Sequence, residues 1–482
     1  MAKVFLTTPP WQPFHTLQGL FPEVPPLGLQ VVAGALRAAG HEARVFSAQH
    51  LRPMHPDLLR AVGEFSPDVI GFSNSELPNA PMVLKVAGEL RRRLPAVKFF
   101  VGGQAPSFSP DIFLAPGSPF DAAVLYEAEN TVSPVVEALA AGRPLDGLKG
   151  CAWRDPGGEL RVAPPGEPPA DLDAVPLPYR EGSLYRARFT DGLYAAVETS
   201  RGCPYQCSFC SIPGYYGAPR YKSASRIIAE LRELKRMGVT EFSINDDSFG
   251  TRPDIVREVL DAMLRDNMGF RFGVQIRADI IAAEPWLIEM GARAGLHIAV
   301  VGFEGYTRKV HDEARKGNSA DINREASRIL RRNGVAVYGT HVFGGPGTSM
   351  RDNLATFFHG RRNSDIFRMT IYTPLPGSKL YEELSAAGRL AESRPEDFYE
   401  GKYLIKDAHS PLLVQLAYFG LLALHYALPD TLLKLFHRRE VIREFNRRAY
   451  RGAFHFVLGK LFPFLYGRGV SAAPRPAPRR VS

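Results

Sequence analysis

Three of the four cysteines lie within eight residues of one another. Cys203, Cys207 and Cys210 form the pattern C-x3-C-x2-C directly after an apolar run that predicts a strand. Thiolates are the soft ligands that iron–sulfur clusters require, so this loop can bind three irons of a cubane and leave the fourth open. Structural zinc instead takes four protein ligands, and the loop has neither a fourth cysteine nor a histidine. The spacing therefore favours a [4Fe–4S] cluster over a zinc site, with Cys151 as a separate thiol.

The residues around this loop predict the scaffold that positions it. Apolar runs separated by helical patterns indicate six strands, at 193–198, 241–244, 270–276, 297–303, 335–343 and 366–372. Six parallel strands with outer helices predict a partial (β/α)6 barrel of the TIM type, in which the chemistry lies at the carboxyl ends of the strands. The residues at those ends form one rim: Asp246, Asp247, Gln275, Arg277, Glu304, the glycine-rich segment 344–347 and the segment 373–377.

The cysteine loop resembles the signature loop of the radical S-adenosylmethionine (SAM) enzymes. The resemblance rests on Arg-Gly-Cys-Pro-Tyr-Gln-Cys-Ser-Phe-Cys at 201–210 and covers about residues 190–385. It implies a [4Fe–4S] cluster on the three cysteines, with SAM on the open iron and reductive cleavage of SAM to a 5′-deoxyadenosyl radical. The SAM contacts that it implies are Phe209 near the adenine, Asp246 and Asp247 near the methionine moiety, and Gln275, Arg277 and Glu304 near the ribose and carboxylate.

Each rim residue also has a structural alternative. Asp246 or Asp247 could merely cap the helix that follows. Arg277 could be no more than the salt-bridge partner of Glu304, since a carboxylate at a strand end needs some partner. The glycines of segment 344–347 are expected to serve turn geometry.

The first 140 residues repeat a strand–helix pattern of their own. Strands are predicted at 4–7, 43–46, 69–73, 99–101 and 122–125, and a helix at 27–39 is followed by Gly40 as its C-cap. This alternation predicts a Rossmann-like, doubly wound parallel sheet, which binds ligands beyond the carboxyl ends of its strands. Small and polar residues in the loops there suit a large ligand, among them Gly28, Ser73, Gly102, Gly103 and Glu127.

These loops resemble the cobalamin-binding domain that precedes the barrel in many radical SAM enzymes. The segments Pro-Pro-Leu-Gly-Leu at 25–29, Val-Gly-Gly at 101–103 and Glu-Ala-Glu at 127–129 carry the resemblance. It implies cobalamin as a cofactor. The Asp-x-His-x-x-Gly motif is absent, which in this group implies cobalamin without a histidine on cobalt. The alternative is a Rossmann-like sheet that has lost its ligand.

The sequence predicts five regions in all. They are a cobalamin-binding domain at 1–140, a connector with a hairpin at 141–190, the radical SAM barrel at 191–385, a helical domain at 386–470 and a disordered tail at 471–482. The net charge of +9 resides in residues 430–482, which hold 12 Lys and Arg against 3 Asp and Glu. A nucleic-acid enzyme spreads basic residues around its cleft, so this placement argues against nucleic acid as a partner.

The basic and apolar helices at 411–465 favour peripheral contact with an anionic membrane surface. The alternative is that the apolar run at 412–428 packs against the barrel and closes it. No signal-peptide pattern opens the sequence, and the clustered cysteines indicate a metal site rather than disulfides. The expected location is the cytoplasm, at the inner face of the membrane.

The segments at 68–73 and 374–378 resemble the hopanoid and bacteriochlorophyll methylases. This resemblance implies a cobalamin-dependent radical SAM enzyme that methylates an unactivated carbon of a hydrophobic intermediate, a lipid or a porphyrinoid. It also implies an external electron donor of the flavodoxin or ferredoxin type. One alternative is an oxidative cyclase such as the anaerobic tetrapyrrole cyclases, and another is a cobalamin-binding sensor without catalysis.

Overall fold

Two seven-stranded sheets follow one another along the chain, and a helical segment follows the second. The structure, a computed structural model, describes residues 1–10, 24–49, 51, 53–399, 401–406 and 410–461, with side chains as far as Arg451. The tail predicted at 471–482 lies outside these residues.

The strands of the first sheet are β1 (Lys3–Thr7), β2 (Glu42–Phe46), β3 (Val69–Ser73), β4 (Lys98–Gly102), β5 (Ala122–Val124), β6 (Cys151–Arg154) and β7 (Leu160–Val162). Its helices are α1 (Leu27–Ala38), α2 (Pro56–Phe65), α3 (Ala80–Arg93), α4 (Gln104–Phe108), α5 (Pro110–Phe113) and α6 (Val132–Ala140). The strand order is β2-β1-β3-β4-β5-β6-β7, with β1 to β5 parallel. Helices α2 and α3 cover one face, and α1 and α6 cover the other. The predicted doubly wound sheet is confirmed, and burial on both faces explains why its strands are continuous apolar runs.

The hairpin predicted in the connector belongs to this first sheet. Strand β6 pairs antiparallel with β5, and β7 pairs with β6 at the edge. The open edge of β5 presents unpaired backbone groups, and the hairpin satisfies them. Cys151 is therefore fully buried in the core of the sheet. Residues 151–162 extend the sheet rather than serving only as a link.

The second sheet is the curved half-barrel. Its strands are β8 (Tyr185–Arg186), β9 (Leu193–Val197), β12 (Val239–Phe249), β13 (Arg271–Arg277), β14 (Leu296–Glu304), β15 (Ala336–Phe343) and β16 (Ile366–Ile371), while β10 (Ser200–Arg201) and β11 (Arg220–Tyr221) form a separate ribbon. The helices are α7 (Ile212–Tyr216), α8 (Ala224–Arg236), α9 (Pro253–Arg265), α10 (Ala278–Ala283), α11 (Pro285–Ala294), α12 (Arg308–Ala314), α13 (Ala320–Arg332), α14 (Met350–Asn363) and α15 (Lys379–Ala386).

Six of these strands are parallel, in the order β16-β15-β14-β13-β12-β9, and β8 adds a short antiparallel edge. The predicted partial barrel is confirmed. Strand β12 differs most from its prediction, because it continues past Ile244 to Phe249 with a register shift between these residues. Asp246 and Asp247 therefore lie within the irregular end of a strand.

The carboxyl-terminal helices pack on the barrel. They are α16 (Pro411–Ala427), α17 (Pro429–Leu433) and α18 (Glu440–Leu461), with a 3-10 turn at Lys434–Phe436. On α16, Val414 and Tyr418 are buried, and the Tyr418 hydroxyl donates to the Met369 carbonyl of β16 at 2.9 Å. Helix α18 packs Ile442 and Phe445 into one cluster with strands β14 to β16. This packing agrees with the alternative in which residues 412–428 close the barrel.

Hydropathy gives one further finding for this segment. Within the described ranges, no single helix is long and apolar enough to span a membrane. Helix α16 and the following Pro429–Phe436 meet that criterion only together, across a bend of 56°.

Candidate functional site

The cysteine loop follows β9 and β10 at the carboxyl rim of the barrel. Cys203, Cys207 and Cys210 are all partly buried and unbridged. The amide of Cys210 donates to the carbonyl of Cys207 at 3.2 Å, which tightens the loop. Burial raises the pKa of the Cys203 thiol and raises that of Cys210 to about 12. These partly buried thiols would bind the iron of a cluster as thiolates, since metal binding displaces the thiol protons.

The donor set of this loop fits a cubane. Across the part of the chain that the structure describes, no three His, Cys, Asp or Glu side chains converge as a single metal ion requires. In a [4Fe–4S] cluster each thiolate binds an iron of its own, so the three sulfurs need not point to one centre. Three partly buried thiols on one short loop can hold three of the four irons and leave the last for another ligand.

Two buried carboxylates hold the chain that leads into the loop. Asp246 is 3% exposed and accepts hydrogen bonds from the amides of Thr199 at 2.6 Å and Ser200 at 3.1 Å, and from the Thr199 hydroxyl. Asp247 accepts from the amide of Gly202 at 2.9 Å. Burial raises the pKa of both carboxyl groups, and that of Asp247 to about 7. Both acids position the segment immediately before the first cysteine.

The structure decides several of the structural alternatives for the rim. The two acids of β12 do not cap α9, because the N-cap of that helix is Arg252. The alternative in which Arg277 pairs only with Glu304 is wrong, since Arg277 pairs with Asp279 and Glu304 pairs with Lys316. Gly344 adopts a φ of +76°, as the expected turn requires.

Arg277 ends β13 directly against the cysteine loop. Its guanidinium binds the Asp279 carboxylate at 2.8 Å and donates to the Lys316 carbonyl at 2.6 Å. It lies 3.5 Å from the ring centroid of Tyr205, and Nη1 lies 3.8 Å from the Cys207 sulfur. Arg277 thus places a fixed positive charge beside the thiols.

Glu304 ends β14 in a buried ion pair. Its Oε1 lies 2.5 Å from Nζ of Lys316, and both side chains are less than a tenth exposed. Glu304 adopts a φ of +58°, which is uncommon for a residue other than glycine. Surrounding structure must hold this conformation, and such positions cluster at ligand sites.

Phe209 and Gln275 complete the predicted SAM contacts. The Phe209 ring is partly buried at 5.6 Å from the ring of Tyr372. The Tyr372 hydroxyl lies 2.7 Å from that of Ser208, which anchors the loop to the last barrel strand. Gln275 is exposed, two residues before the end of β13. The predicted residues that the structure gathers at this rim are Cys203, Cys207, Cys210, Phe209, Asp246, Asp247, Gln275, Arg277 and Glu304.

The predicted cobalamin residues lie at the carboxyl edge of the first sheet. Ser73 ends β3, Gly102 ends β4, and the exposed Gly28 lies in the first turn of α1. Gly103 adopts a φ of +108°, and a Cβ there would lie 2.6 Å from the Asn74 carbonyl oxygen, so only glycine fits. The Asn74 side-chain nitrogen is buried without a hydrogen-bond partner among the described residues. An unpaired buried donor beside a glycine cradle fits a ligand rich in amide oxygens, such as cobalamin.

The loop after β5 reaches across to the cysteine loop. Glu127 and Glu129 bind the Arg201 guanidinium at 2.7 and 2.6 Å, and all three side chains are at most 7% exposed. The Tyr215 hydroxyl donates to the Tyr126 carbonyl at 2.9 Å. The carboxyl edges of the two sheets therefore face each other across these contacts.

These pairs belong to a buried network of four acids and four bases. Its members are Glu127, Glu129, Glu198, Glu230, Arg180, Arg201, Arg220 and Lys222. Equal numbers of each sign leave no net buried charge, which limits the cost of desolvation. Both oxygens of Glu127 are bound, one to Arg201 and one to Arg220. Glu127 therefore joins the two sheets, whereas the sequence placed it among the cobalamin contacts.

The sequence analysis assigns no role of their own to Arg201, Glu129, Lys316 and Asn74, although Arg201 and Glu129 lie in segments that carry the family resemblances. Glu129 pairs with Arg201 across a long stretch of the chain, Lys316 pairs with Glu304 at the end of β14, and the Asn74 side-chain nitrogen has no partner among the described residues. Local spacing in the sequence predicts none of these environments. Local signals exist for Arg201, which lies two residues before the first cysteine, and for Glu129, which lies in the segment 127–129.

Comparison with known families agrees with this geometry. The B12 binding domain family matches residues 20–136, which include the first sheet's carboxyl edge. The Radical SAM superfamily matches residues 197–358, which include the cysteine loop. The cofactors of these two families are cobalamin, and a [4Fe–4S] cluster with SAM.

Individual relatives follow the same pattern. The hopanoid C-3 methylase of Methylococcus capsulatus is 30% identical over 325 residues, which cover 66% of this chain and 61% of that protein. The anaerobic magnesium-protoporphyrin IX monomethyl ester cyclase of Synechocystis sp. is 27% identical over 323 residues, which cover 66% of this chain and 64% of that protein. The chain thus spans less than two thirds of the length of either relative.

A solved structure shares the fold over nearly the whole chain. The radical SAM methyltransferase TsrM from Kitasatospora setae, with cobalamin and a [4Fe–4S] cluster bound, has a TM-score of 0.69 at 17% identity. The match covers 94% of this chain and 100% of that chain. The chain thus combines a match to the B12 binding domain family on its first sheet with a match to the Radical SAM superfamily, including the three-cysteine loop, on its second.

Proposed function

We propose that this protein methylates an unactivated carbon of a hydrophobic biosynthetic intermediate, a polycyclic lipid or a porphyrinoid. The observation that carries this proposal is that the two carboxyl edges face each other. The pairs of Arg201 with Glu127 and Glu129 fix the cobalamin loop against the cysteine loop. A substrate between the edges would be accessible to both cofactors. An unactivated carbon needs both, because it has no nucleophilic electron pair and must lose a hydrogen atom before it can accept a methyl group.

The residues of the chain divide between three ligands. Cys203, Cys207 and Cys210 hold the cluster; Phe209, Asp246, Asp247, Gln275, Arg277 and Glu304 surround SAM; and Gly28, Ser73, Gly102 and Gly103 surround cobalamin. When bound, SAM on the cluster supplies a radical that removes hydrogen from the substrate carbon, and cobalamin supplies the methyl group. In this scheme Glu127 positions the two halves of the site and does not touch cobalamin.

The ion pairs at the rim suit the charges of SAM. The carboxylate of Glu304 can accept from ribose hydroxyls, and its partner Lys316 can bind a carboxylate. The Arg277 guanidinium, held by Asp279 and stacked on Tyr205, keeps positive charge beside the cluster and favours its reduced, more negative state.

The proposal includes partners that the reaction needs. Cleavage of SAM consumes an electron, so an external one-electron donor of the flavodoxin or ferredoxin type serves the cluster. A hydrophobic substrate resides in or on a membrane, so we place the protein in the cytoplasm at the inner membrane face. Residues 1–429 hold equal numbers of basic and acidic residues, which argues against nucleic acid as a partner.

The decisive experiment is product analysis under anaerobic conditions. The reconstituted full chain receives a reductant, SAM with a deuterated methyl group, and either a hopanoid or a porphyrinoid. We expect 5′-deoxyadenosine together with a product that carries one deuterated methyl group. An oxidised or cyclised product without the label would favour the cyclase alternative, which the 27% identical cyclase supports. Cobalamin binding without SAM turnover would favour a sensor.

A further inference from the structure

Large exposed hydrophobic side chains concentrate on one part of the surface. Of the 14 that the described residues contain, 10 lie on α14 or within residues 411–436. We call them the apolar face: Met350, Leu354, Phe358, Leu412, Leu413, Leu416, Leu424, Leu432, Leu433 and Phe436. A contiguous apolar surface of this kind marks a place where a protein meets a partner or a membrane.

The helices that carry the apolar face lie side by side. Nε of Arg361 on α14 donates to Nδ1 of His425 on α16 at 2.9 Å, and Asp430 binds the same guanidinium at 2.7 Å. On α14, the exposed residues 350, 354 and 358 recur every four positions, so they form one stripe along the helix. Buried Val414, Tyr418 and His425 face the barrel, which leaves the leucines of α16 on its outer side.

The apolar face begins at the rim that carries the candidate site. Helix α14 starts at Met350, directly after the rim segment 344–347. The amide of Gly344 in that segment donates to Asn353 at 3.0 Å, and a Cβ on Gly344 would lie 3.0 Å from the Val414 side chain of α16. Leu375, on the loop that follows β16, is a further exposed leucine, at 37%. The apolar face therefore lies next to the rim at its Met350 end.

Arginines border the other end of the apolar face. Arg447 donates to the Leu435 carbonyl at 3.0 Å and Arg443 to the His437 carbonyl at 3.1 Å, so both guanidinium groups lie beside Phe436. Arg438 and Arg447 are exposed. Residues 430–482 hold 12 Lys and Arg against 3 Asp and Glu. Apolar side chains bordered by cations are complementary to an anionic bilayer surface.

We propose that the apolar face inserts its leucines and phenylalanines into the headgroup region of an anionic lipid bilayer. Helix α16 lies along the surface rather than across it, since one side of it packs on the barrel and the segment bends by 56° after it. A second copy of this chain fits the face less well, because each copy would bring its own basic border toward the other. Entry of the substrate from the bilayer rests on the proposed function, whereas lipid binding does not.

Vesicle sedimentation of the full-length holoprotein tests the proposal. Vesicles contain either phosphatidylcholine alone or phosphatidylcholine with phosphatidylglycerol. We expect binding to the anionic vesicles that weakens as salt is raised. The triple variant Leu413→Asp, Leu433→Asp, Phe436→Asp should lose at least about tenfold in affinity for the anionic vesicles, because three apolar side chains that anchor the face are lost. The double variant Val162→Asp, Leu177→Asp, at exposed apolar positions elsewhere, should bind like the parent.

Three outcomes would overturn the proposal. They are no binding of the full chain to anionic vesicles, equal binding of the triple variant, or a dimer in sedimentation velocity that the triple variant dissociates. SAM cleavage with detergent-solubilised substrate is measured on the same variants. If the parent protein cleaves SAM normally but does not bind vesicles, the proposed membrane-binding surface is rejected and the proposed function is not. If the parent binds vesicles but does not cleave SAM, the proposed function is rejected and the membrane-binding surface is not.

Discussion

At the scale of single residues, burial decides how each polar side chain of the site is held. Asp246 accepts hydrogen bonds from two amides and a hydroxyl, and all of these favour its charged form against the effect of burial. Asp247 accepts from one amide, and burial leaves its pKa at about 7. The two neighbouring acids thus differ in environment, and Asp246 holds the segment before the cysteine loop through more hydrogen bonds than Asp247 does.

The cysteines give the first prediction. Replacing Cys203, Cys207 and Cys210 by alanine should abolish iron and sulfide incorporation, because no other thiol lies in the loop. Cys151→Ser should keep a full cluster, since this thiol is buried within the first sheet and burial raises its pKa to about 11. Iron and sulfide analysis with the visible absorbance of the cluster measures both. A cluster that persists in the triple variant would contradict the assignment.

Residues with a local signal were predictable, and those paired across the fold were not. The cysteine spacing lies within eight positions of the sequence, so it could be read directly. Glu127 was identified as important from its loop, but its two arginine partners come from residues 74 and 93 positions away. Only the folded chain shows that this carboxylate joins two sheets.

At the scale of elements, the parallel strands were easy to predict because both of their faces are buried. Strand β3 has the predicted bounds, Val69–Ser73, and the other core strands mostly differ by one or two residues at an end. The sheet to which the hairpin at 151–162 attaches was not predictable, since antiparallel pairing at an edge depends on which edge is open. The extension of β12 through Asp246 was missed because its polar residues suggested a loop.

Helix α16 carries the second prediction, through His425. Its ring is 3% exposed and accepts from Arg361, and burial with the neighbouring cations Arg361 and Lys434 lowers its pKa to about 3, while Asp430 acts in the opposite direction. Below about pH 6.5 the His425 side chain is protonated in the unfolded chain but stays neutral in the folded chain. Docking of α16 should therefore weaken as pH falls from 6.5 toward 3, by at most about 1.4 kcal/mol per pH unit from this group.

His425→Asn tests this directly, because asparagine keeps an oxygen acceptor near the position of Nδ1 but does not titrate. Melting temperature and proteolysis at α16, followed from pH 7 to pH 4.5, should change less steeply in this variant than in the parent. His297 and His341, each with a pKa lowered to about 4 by burial, contribute equally to both proteins. His55→Asn, at the partly exposed N-cap of α2, serves as the control. Parallel pH profiles for all three proteins would contradict the role of His425.

At the scale of the whole molecule, the buried ion network joins the two sheets that the cofactors occupy. Arg201 binds carboxylates from the first sheet's loop, and through Glu198 it connects to the base Lys222 of the barrel side. Apolar contacts would hold the two halves together over a range of orientations, whereas charged pairs fix one register. The network therefore sets the distance between the cobalamin edge and the cysteine loop.

The third prediction follows from breaking this network. Arg201→Gln leaves Glu129 buried without its arginine, which should cost about 3–5 kcal/mol of interaction between the halves. Adding Glu129→Gln should restore about 0.5–3 kcal/mol of that loss, because the unpaired charge is removed. The exposed pair of Arg232 with Asp266 provides the control, and Arg232→Gln should have little effect.

Proteolysis of the connector gives a readout that is specific to separation of the halves. Glu181 of the connector is exposed and is followed by Gly182, so a glutamyl endopeptidase can cut there once the chain around it opens. Cleavage should be fastest in Arg201→Gln, slower in the double variant, and unchanged in Arg232→Gln. If Arg201→Gln is cut no faster than the parent while its melting temperature falls, the arginine stabilises the barrel alone and the two sheets are held in register by their aromatic contacts, Tyr126 on Tyr215 and Phe108 on Tyr215.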